Sequence, residues 1–189
     1  MSREPTLTRR PECYRSYLRV LAQALLYRAG PLQNKVDASD LVQETLLTAH
    51  AALPQFRGDS DQELAAWLRK ILANKLADAG RRFARQKRDA ALERQYVETL
   101  NSSSDRFARI VVAGTGSPSA DVARLRELVR IAEALEQLPE DQRVAIELHH
   151  VMGYAVAEIA EQMDKSKPAV AGLLRRGLKQ LRERLGGPR

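Results

Sequence analysis

The sequence predicts an all-α protein made of two small helical domains joined by a flexible linker. Three observations lead there. Apolar residues recur at three- and four-residue spacing through both ends of the chain, the period of a helix with one buried face. Aromatic residues are only 5%, and 10 Gly and 8 Pro are few for 189 residues. All-β folds draw instead on aromatic and β-branched residues with frequent Gly and Pro turns. The middle of the chain turns rich in Ser and Gly, which is linker chemistry. Domains run to about 100–200 residues, so the length fits one ordinary domain or two small ones.

The first domain is expected over residues 14–88. Leu18, Leu21, Leu25 and Leu26 mark its first helix, which Gly30 and Pro31 end. Asp37 or Ser39 can cap the second helix, where Leu41, Val42, Thr45, Leu46 and Ala49 supply the apolar face and Pro54 is the stop. Phe56 to Asp61 is polar and turn-rich, a loop. A third helix starts at Gln62 and carries Leu64, Trp67, Leu68, Ile71, Leu72 and Leu76 inward.

Residues 89–120 read as the linker. A short helix from Ala90 to Leu100 leads to Asn101-Ser102-Ser103-Ser104, then an apolar island from Phe107 to Val112, then Gly114-Thr115-Gly116-Ser117-Pro118-Ser119. Gly114 and Gly116 do not make a phosphate loop, because no strand precedes them and no Lys follows at the required spacing.

The second domain is expected over residues 121–185. Val122, Leu125, Leu128, Val129, Ala132, Leu135 and Leu138 form one amphipathic helix. Pro139 suits the first turn of the next, Glu140 to Val151. Ala155 to Met163 is a short helix, Asp164-Lys165-Ser166 is a turn, and a long helix follows from Lys167. A short helix, a three-residue turn and a longer basic helix make a helix-turn-helix. Ser166 can cap the last helix, and Pro168 is tolerated in its first turn.

Composition narrows the function classes. Cys13 is the only cysteine, so it can form no internal disulfide and cannot build a zinc site without three other ligands. No run of eighteen apolar residues exists, and Met1 to Glu12 lacks the apolar core of a signal peptide. A soluble, cytoplasmic protein is expected. The net charge is +7. It concentrates between Arg69 and Arg88, where eight bases face Asp78 alone, and the rest of the chain cancels. Lys165 to Arg189 also holds eight bases against Glu183. Two separate basic patches suggest two contacts with a polyanion, although a charge run can also be a solvated face.

Three constellations carry chemistry. In the last helix, Ala169, Ala171 and Gly172 are small and let the backbone approach base edges. Lys165, Lys167, Arg175, Arg176 and Lys179 can reach bases or phosphates. In the third helix, Trp67, Lys70 and Asn74 share a face, with Lys75, Arg81 and Arg82 beside it. An aromatic among amide and basic groups can hold unstacked single-stranded bases. The rival reading is that a lone Trp at helical spacing belongs to the core. In the second helix, Asp37, Asp40 and Glu44 could hold a divalent metal, favour a helix N-terminus, or form a partner surface. His149 and His150 point about 100° apart and make a poor metal pair.

These residues resemble a known family. The string Asp37-Ala38-Ser39-Asp40-Leu41-Val42-Gln43-Glu44-Thr45-Leu46, then Trp67 to Asp78 and Arg81-Arg82, resembles the second conserved region of bacterial RNA polymerase sigma factors. Leu138-Pro139-Glu140-Asp141-Gln142-Arg143, with the helix-turn-helix around Glu158-Ile159-Ala160 and Val170, resembles their fourth region. Two regions with a linker between them is the pattern of the extracytoplasmic-function (ECF) group.

The resemblance implies roles. Asp40, Gln43, Glu44 and Leu47 would bind core polymerase, so the acids are read as a docking face. Phe56, Arg57, Trp67, Lys70, Asn74, Lys75, Arg81 and Arg82 would melt and read the minus-ten promoter element. Lys165, Ser166, Lys167, Ala169, Ala171, Gly172, Arg175, Arg176 and Lys179 would read the minus-thirty-five element. The implied partners are bacterial core RNA polymerase, promoter DNA in duplex and single-stranded form, and an anti-sigma factor, for which the apolar island is the one hint.

The mechanism would be non-catalytic and would need no cofactor or metal in this chain. The polymerase would supply the active site and its magnesium. The chain departs from the family at Asp164, where Gly is frequent, and at Lys165, where an apolar residue is frequent. Pro168-Ala169-Val170 stands in place of Gly-Thr-Val, and Ala171 and Gly172 replace polar or basic residues. Three other readings stay open on the residues alone: a dimeric helix-turn-helix regulator, a metal-dependent phosphoryl-transfer enzyme on Asp37, Asp40 and Glu44, and a scaffold that binds only protein.

Overall fold

The computed structural model describes residues 10–28, 35–84, 90–115 and 121–186. Gly30, Pro31, the basic residues Arg85, Lys87 and Arg88, and the linker residues 116–120 lie outside the described residues. The regular structure of the described residues is all helix, with no strand among them. Packing divides the chain into two compact units, residues 1–102 and 103–189.

In the first unit a short 3-10 turn, Pro11–Tyr14, leads into helix α1, Arg15–Arg28. Helix α2, Ala38–Ala52, starts at Asp37, whose carboxylate accepts from the Ser39 and Asp40 backbone N–H at 2.7 and 3.3 Å. A side-chain cap of this kind stabilises a helix by about 1 kcal/mol. It settles the choice between Asp37 and Ser39. Pro54 ends the α-helical ladder in a 3-10 turn, Leu53–Gln55. Helix α3 then runs Asp61–Ala84.

Helix α2 packs on both α1 and α3. Leu18, Leu21, Leu25, Leu41, Leu46, Leu64, Leu68, Leu72 and Leu76 are buried between them. Each such side chain contributes up to about 1.5–3 kcal/mol. Thr45 is buried too, and its hydroxyl donates to the Leu41 carbonyl at 2.7 Å, so no polar atom is stranded.

Helix α4 spans Ala90–Thr115 without interruption. This corrects the expectation of a break at Asn101-Ser102-Ser103-Ser104 and of a separate island from Phe107. Leu100, Ser103, Ser104, Phe107 and Ala108 are all buried, at spacings of three, one, three and one. That is a continuous helical stripe in which the serines serve as small buried residues. Ser and Asn cost at most about 0.7 kcal/mol each in a helix relative to Ala, too little to break a stripe that burial supports. Asn101 is also engaged, since its Oδ1 accepts from Arg69 Nε at 2.8 Å.

In the second unit α5, Asp121–Glu136, is followed by Pro139 at the N-cap of α6, Glu140–Ile146. The expected helix to Val151 does continue, but as a π-helical turn, Glu147–Val151, closed by Met152 N–H on the Glu147 carbonyl at 3.0 Å. The wider turn keeps Leu148, Val151 and Met152 buried. Helix α7, Val156–Gln162, and helix α8, Lys167–Gly186, complete the helix-turn-helix. Helix α8 packs on α5, α6 and α7. Val170, Leu173, Leu174, Gly177 and Leu181 form its buried side.

The turn between α7 and α8 is a Schellman motif. Lys165 N–H bonds the Ala160 carbonyl at 2.9 Å, and Asp164 N–H bonds the Glu161 carbonyl at 3.3 Å. The motif needs a left-handed residue, usually Gly. Asp164 supplies it with φ 50°, within the tolerance of Asp for that region. Ser166 Oγ accepts from Ala169 N–H at 3.3 Å and caps α8 as expected.

Candidate nucleic-acid and protein interfaces

Asp40, Gln43, Glu44 and Leu47 lie on one face of α2, at i, i+3, i+4 and i+7, and all four are exposed. Leu47 is 65% exposed, the one large apolar side chain so exposed among the described residues. Burying an isobutyl group is worth about 1.5–3 kcal/mol, so a partner that covers it gains that much. Asp37 is spent on the helix cap. Among the described residues no group of three His, Cys, Asp or Glu is placed to hold a metal.

The loop before α3 is pinned by a capping box. Glu63 Oε2 accepts from Asp59 N–H at 2.7 Å and Ser60 N–H at 3.0 Å, while Ser60 Oγ accepts from Glu63 N–H at 3.2 Å. The pinned loop folds Phe56 back toward α3. Its ring centroid lies 5.0 Å from that of Trp67, at an interplanar angle of 34°. The ring also lies over Gly58 so closely that any Cβ there would overlap it. Both aromatics are half-buried, so Trp67 is neither free nor sealed in the core. Lys70 is exposed on the same face, with Asn74 and Lys75 half-buried.

The basic residues beyond it are not equivalent. Arg69 is tied inward: besides Asn101, it donates to the Tyr17 hydroxyl at 2.8 Å. Arg81 is ion-paired with Asp78 one turn earlier and with Glu93 of α4 at 3.1 Å. Its side chain is only 24% exposed, so much of its charge is neutralised within the unit. Arg82 is 64% exposed and lies 3.9 Å from Glu44. Glu44, Lys75, Asp78, Arg81 and Arg82 line one open cavity of about 390 Å³. The acidic face of α2 and the basic face of α3 are thus adjacent, which the sequence did not indicate. Glu93 had no signal in the sequence at all, because it belongs to a different helix.

On α8, Ser166, Lys167, Ala169, Ala171, Arg175, Arg176 and Lys179 are exposed along one side. Gly172 is half-buried, with the Arg176 guanidinium beside its backbone. Lys165 differs from the others. It is half-buried, and its Nζ lies 3.1 Å from the Asp141 carboxylate of α6. This pair gives a charged partner to the position where an apolar residue is frequent. Lys179 lies 3.8 Å from Glu183, a fully surface-exposed pair worth little.

Two histidines missed as structural residues stand before α7. His149 Nδ1 donates to the Tyr154 carbonyl at 2.8 Å. The two rings meet edge-on at 4.7 Å. Burial, and then the neighbouring His149, push the His150 imidazole below its ordinary value.

The fold and these surfaces define a two-unit, all-helical protein whose first unit carries a basic aromatic face and whose second unit carries a helix-turn-helix. Residues 13–88 match sigma-70 region 2, and residues 128–181 match sigma-70, region 4. The chain is 32% identical to the RNA polymerase sigma factor CnrH of Cupriavidus metallidurans over 148 residues, 78% of this chain and 72% of that one. It is 32% identical to the sigma factor NccH of Alcaligenes xylosoxydans xylosoxydans, over 86% of this chain and 79% of that one. The chain belongs to the sigma-70 family of RNA polymerase sigma factors, in the ECF group.

It is also 36% identical to the ECF sigma factor SigG of Mycobacterium tuberculosis over 77% of this chain, but the match spans only 41% of that longer relative. Among solved structures, the sigma factor RpoE, in complex with the anti-sigma factor NepR from Bartonella quintana, aligns over 92% of each chain at 24% identity. The TM-score of that alignment is 0.35. Among the described residues no helix is long and apolar enough to cross a membrane.

Proposed function

We propose that this chain docks on bacterial core RNA polymerase through α2 and brings two DNA readers to one promoter. The single observation that carries the reading is Leu47, left 65% exposed between acidic and amide neighbours on the face where the family docks polymerase. The Phe56–Trp67 pair, with Arg57, Lys70, Asn74 and Lys75 near it and Arg82 farther along α3, captures bases of the upstream strand at the minus-ten element. Each stacked base contributes about 1–3 kcal/mol. The outer side of α8 reads the minus-thirty-five duplex, where each good bidentate base contact discriminates by about 1–3 kcal/mol. Arg81 acts mainly by holding α3 to α4, and Lys165 by holding the turn to α6.

The chain performs no catalysis in this scheme and works in the cytoplasm beside the polymerase. Each reader alone makes few contacts, so the free protein binds DNA weakly and with steep salt dependence. A complex with six to ten phosphate contacts loses about a thousandfold or more in affinity between 50 and 200 mM salt.

The test mixes the full chain with sigma-free bacterial core polymerase on a pool of genomic promoter fragments. Selective opening of a few fragments, lost in a Leu47→Asp variant that folds normally, supports the reading. Failure to bind polymerase, with tight DNA binding by the chain alone, overturns it in favour of a dimeric regulator.

A further inference from the structure

One cation in the segment between the two matched regions is built into the second unit. Arg106, on α4, precedes the sigma-70, region 4 match, which begins at residue 128. Its Nη1 donates to the Met152 carbonyl at 2.6 Å. This is a short bond to a charged donor, the strong kind. The same guanidinium covers Gly153: a Cβ there would stand 2.9 Å from Nη1 and 3.1 Å from Cζ. Gly153 has φ +81°, a conformation other residues rarely adopt. The residues around Arg106 on α4 are not solvent-facing filler, since Ser103, Ser104, Phe107 and Ala108 are all buried.

The turn so clamped is the entrance to the helix-turn-helix. Its backbone is held from two sides. Arg106 takes the Met152 carbonyl, and His149 takes the Tyr154 carbonyl at 2.8 Å. Tyr154 N–H returns to the Leu148 carbonyl at 3.0 Å. Helix α7 then begins at once. Its N-cap, Ala155, offers no side-chain acceptor to the first-turn N–H groups, and the one side-chain cap there is Glu158 Oε2 accepting from the Ala155 N–H at 2.7 Å. With so weak a start of its own, the direction of α7 depends on the turn before it. Helix α7 packs directly on α8, so an error in that direction reaches the DNA-facing helix.

We propose that Arg106 is a positioning residue of the DNA-reading unit: by clamping the Met152–Ala155 turn it sets the angle at which α7 supports α8. The proposal rests on the reading of α8 as the duplex reader. It makes the end of α4 a working part of that reader, and not a passive tether.

The test uses the full chain as wild type, Arg106→Ala and Arg106→Lys. In the free protein, amide hydrogen exchange at Tyr154 and Ala155 speeds up about tenfold in Arg106→Ala, the scale of one lost charge-assisted hydrogen bond. Exchange at Leu174 and Leu181, deep in α8, stays at the wild-type rate. Arg106→Lys keeps a donor and recovers part of the protection. With core polymerase on a promoter fragment selected by the wild type, Arg106→Ala keeps its affinity for polymerase and loses several-fold in protection of the upstream duplex. Lys recovers part of that loss as well.

Unchanged exchange at Tyr154 in Arg106→Ala overturns the proposal, as does unchanged upstream protection beside accelerated exchange. Uniformly faster exchange including Leu174 also overturns it, because the residue would then serve stability alone. A wild-type chain that opens no promoter fails the functional reading itself, a result separate from any difference between the variants.

Discussion

Two glycines on α8 offer a comparison in which the same substitution has opposite signs. Replacing a mid-helix Gly by Ala gains about 1 kcal/mol of helix propensity. At Gly177 the new Cβ would lie 2.8 Å from Ile146 Cδ1 and 3.2 Å from Gln142 Cβ. Ile146 is fully buried, and Gln142 Cβ is fixed next to its own backbone on α6, so neither can withdraw freely. Overpacking of this kind costs about 1–3 kcal/mol, so Gly177→Ala is expected to destabilise the unit by about 1 kcal/mol net.

At Gly172 the nearest atom is Arg176 Nη1 at 3.1 Å, the far end of an exposed, flexible side chain. Most of the propensity gain survives there, and Gly172→Ala is expected to stabilise by about 0.5–1 kcal/mol. For a domain of about 60–100 residues each kcal/mol moves Tm by roughly 4–8 °C, so the two variants should separate by about 6–16 °C. Calorimetry of the full chain measures the shift, and exchange protection at Leu174 and Leu181 assigns it to the second unit. If the proposed function holds, Gly172→Ala should also weaken duplex binding while it stabilises the fold, because it thickens the side proposed to face DNA. A Gly177→Ala protein as stable as Gly172→Ala would refute the claim that α6 and α8 are in tight contact at that point.

Three further outcomes are expected. Asp61 is only 3% exposed, and neither of its carboxylate oxygens has a hydrogen-bond partner; burying an unpaired charge outweighs its favourable place at a helix N-terminus. Asp61→Asn should therefore raise the unfolding free energy of the first unit by about 1 kcal/mol, seen as a higher denaturant midpoint, and a lower midpoint would contradict the account. Trp67 is the only tryptophan, so single-stranded DNA should change its fluorescence directly, and Phe56→Ala should weaken that binding by about 1–3 kcal/mol. No fluorescence change at saturation would refute contact between Trp67 and the bases.

The third concerns pH. The folded-state value of His150 is lowered, so the unfolded chain binds its proton more tightly. The stability linked to His150 is therefore complete above its ordinary value, near 6.5, and is lost as pH falls from there toward the lowered folded value. A His150→Gln variant should lose that part of the dependence, and an imidazole NMR titration of the wild type should give a midpoint for His150 below 6.5.

Much of the fold was legible locally. The leucine spacings of α1 to α3, the Asp37 cap, the Pro54 stop and the helix-turn-helix are written within a turn or two of chain, and local rules read them. The left-handed turn at Asp164 was also readable, because the tolerance of Asp for that conformation is an intrinsic property. Helix α4 was misread for the opposite reason. Asn101-Ser102-Ser103-Ser104 looks like linker by composition, but Ser103 and Ser104 occupy buried stripe positions between Leu100 and Phe107. Small polar residues are ambiguous until the surroundings are known.

The candidate sites divide in the same way. The sequence alone determined which residues are basic, aromatic or small, and that Asp40, Gln43, Glu44 and Leu47 share a helix face, because helical spacing is a property of the chain itself. Tertiary structure alone decided which charges are available to a partner. Arg69 is taken by Tyr17 and Asn101, which are 52 and 32 residues away, and Arg81 by Glu93, 12 residues away. Lys165 is held by Asp141 of a different helix, whereas Arg175 and Arg176 on α8 remain exposed. The reason is range: periodicity and capping act over a few residues, while the pairing of charges depends on distances of 3–4 Å that arise only when separate helices pack together.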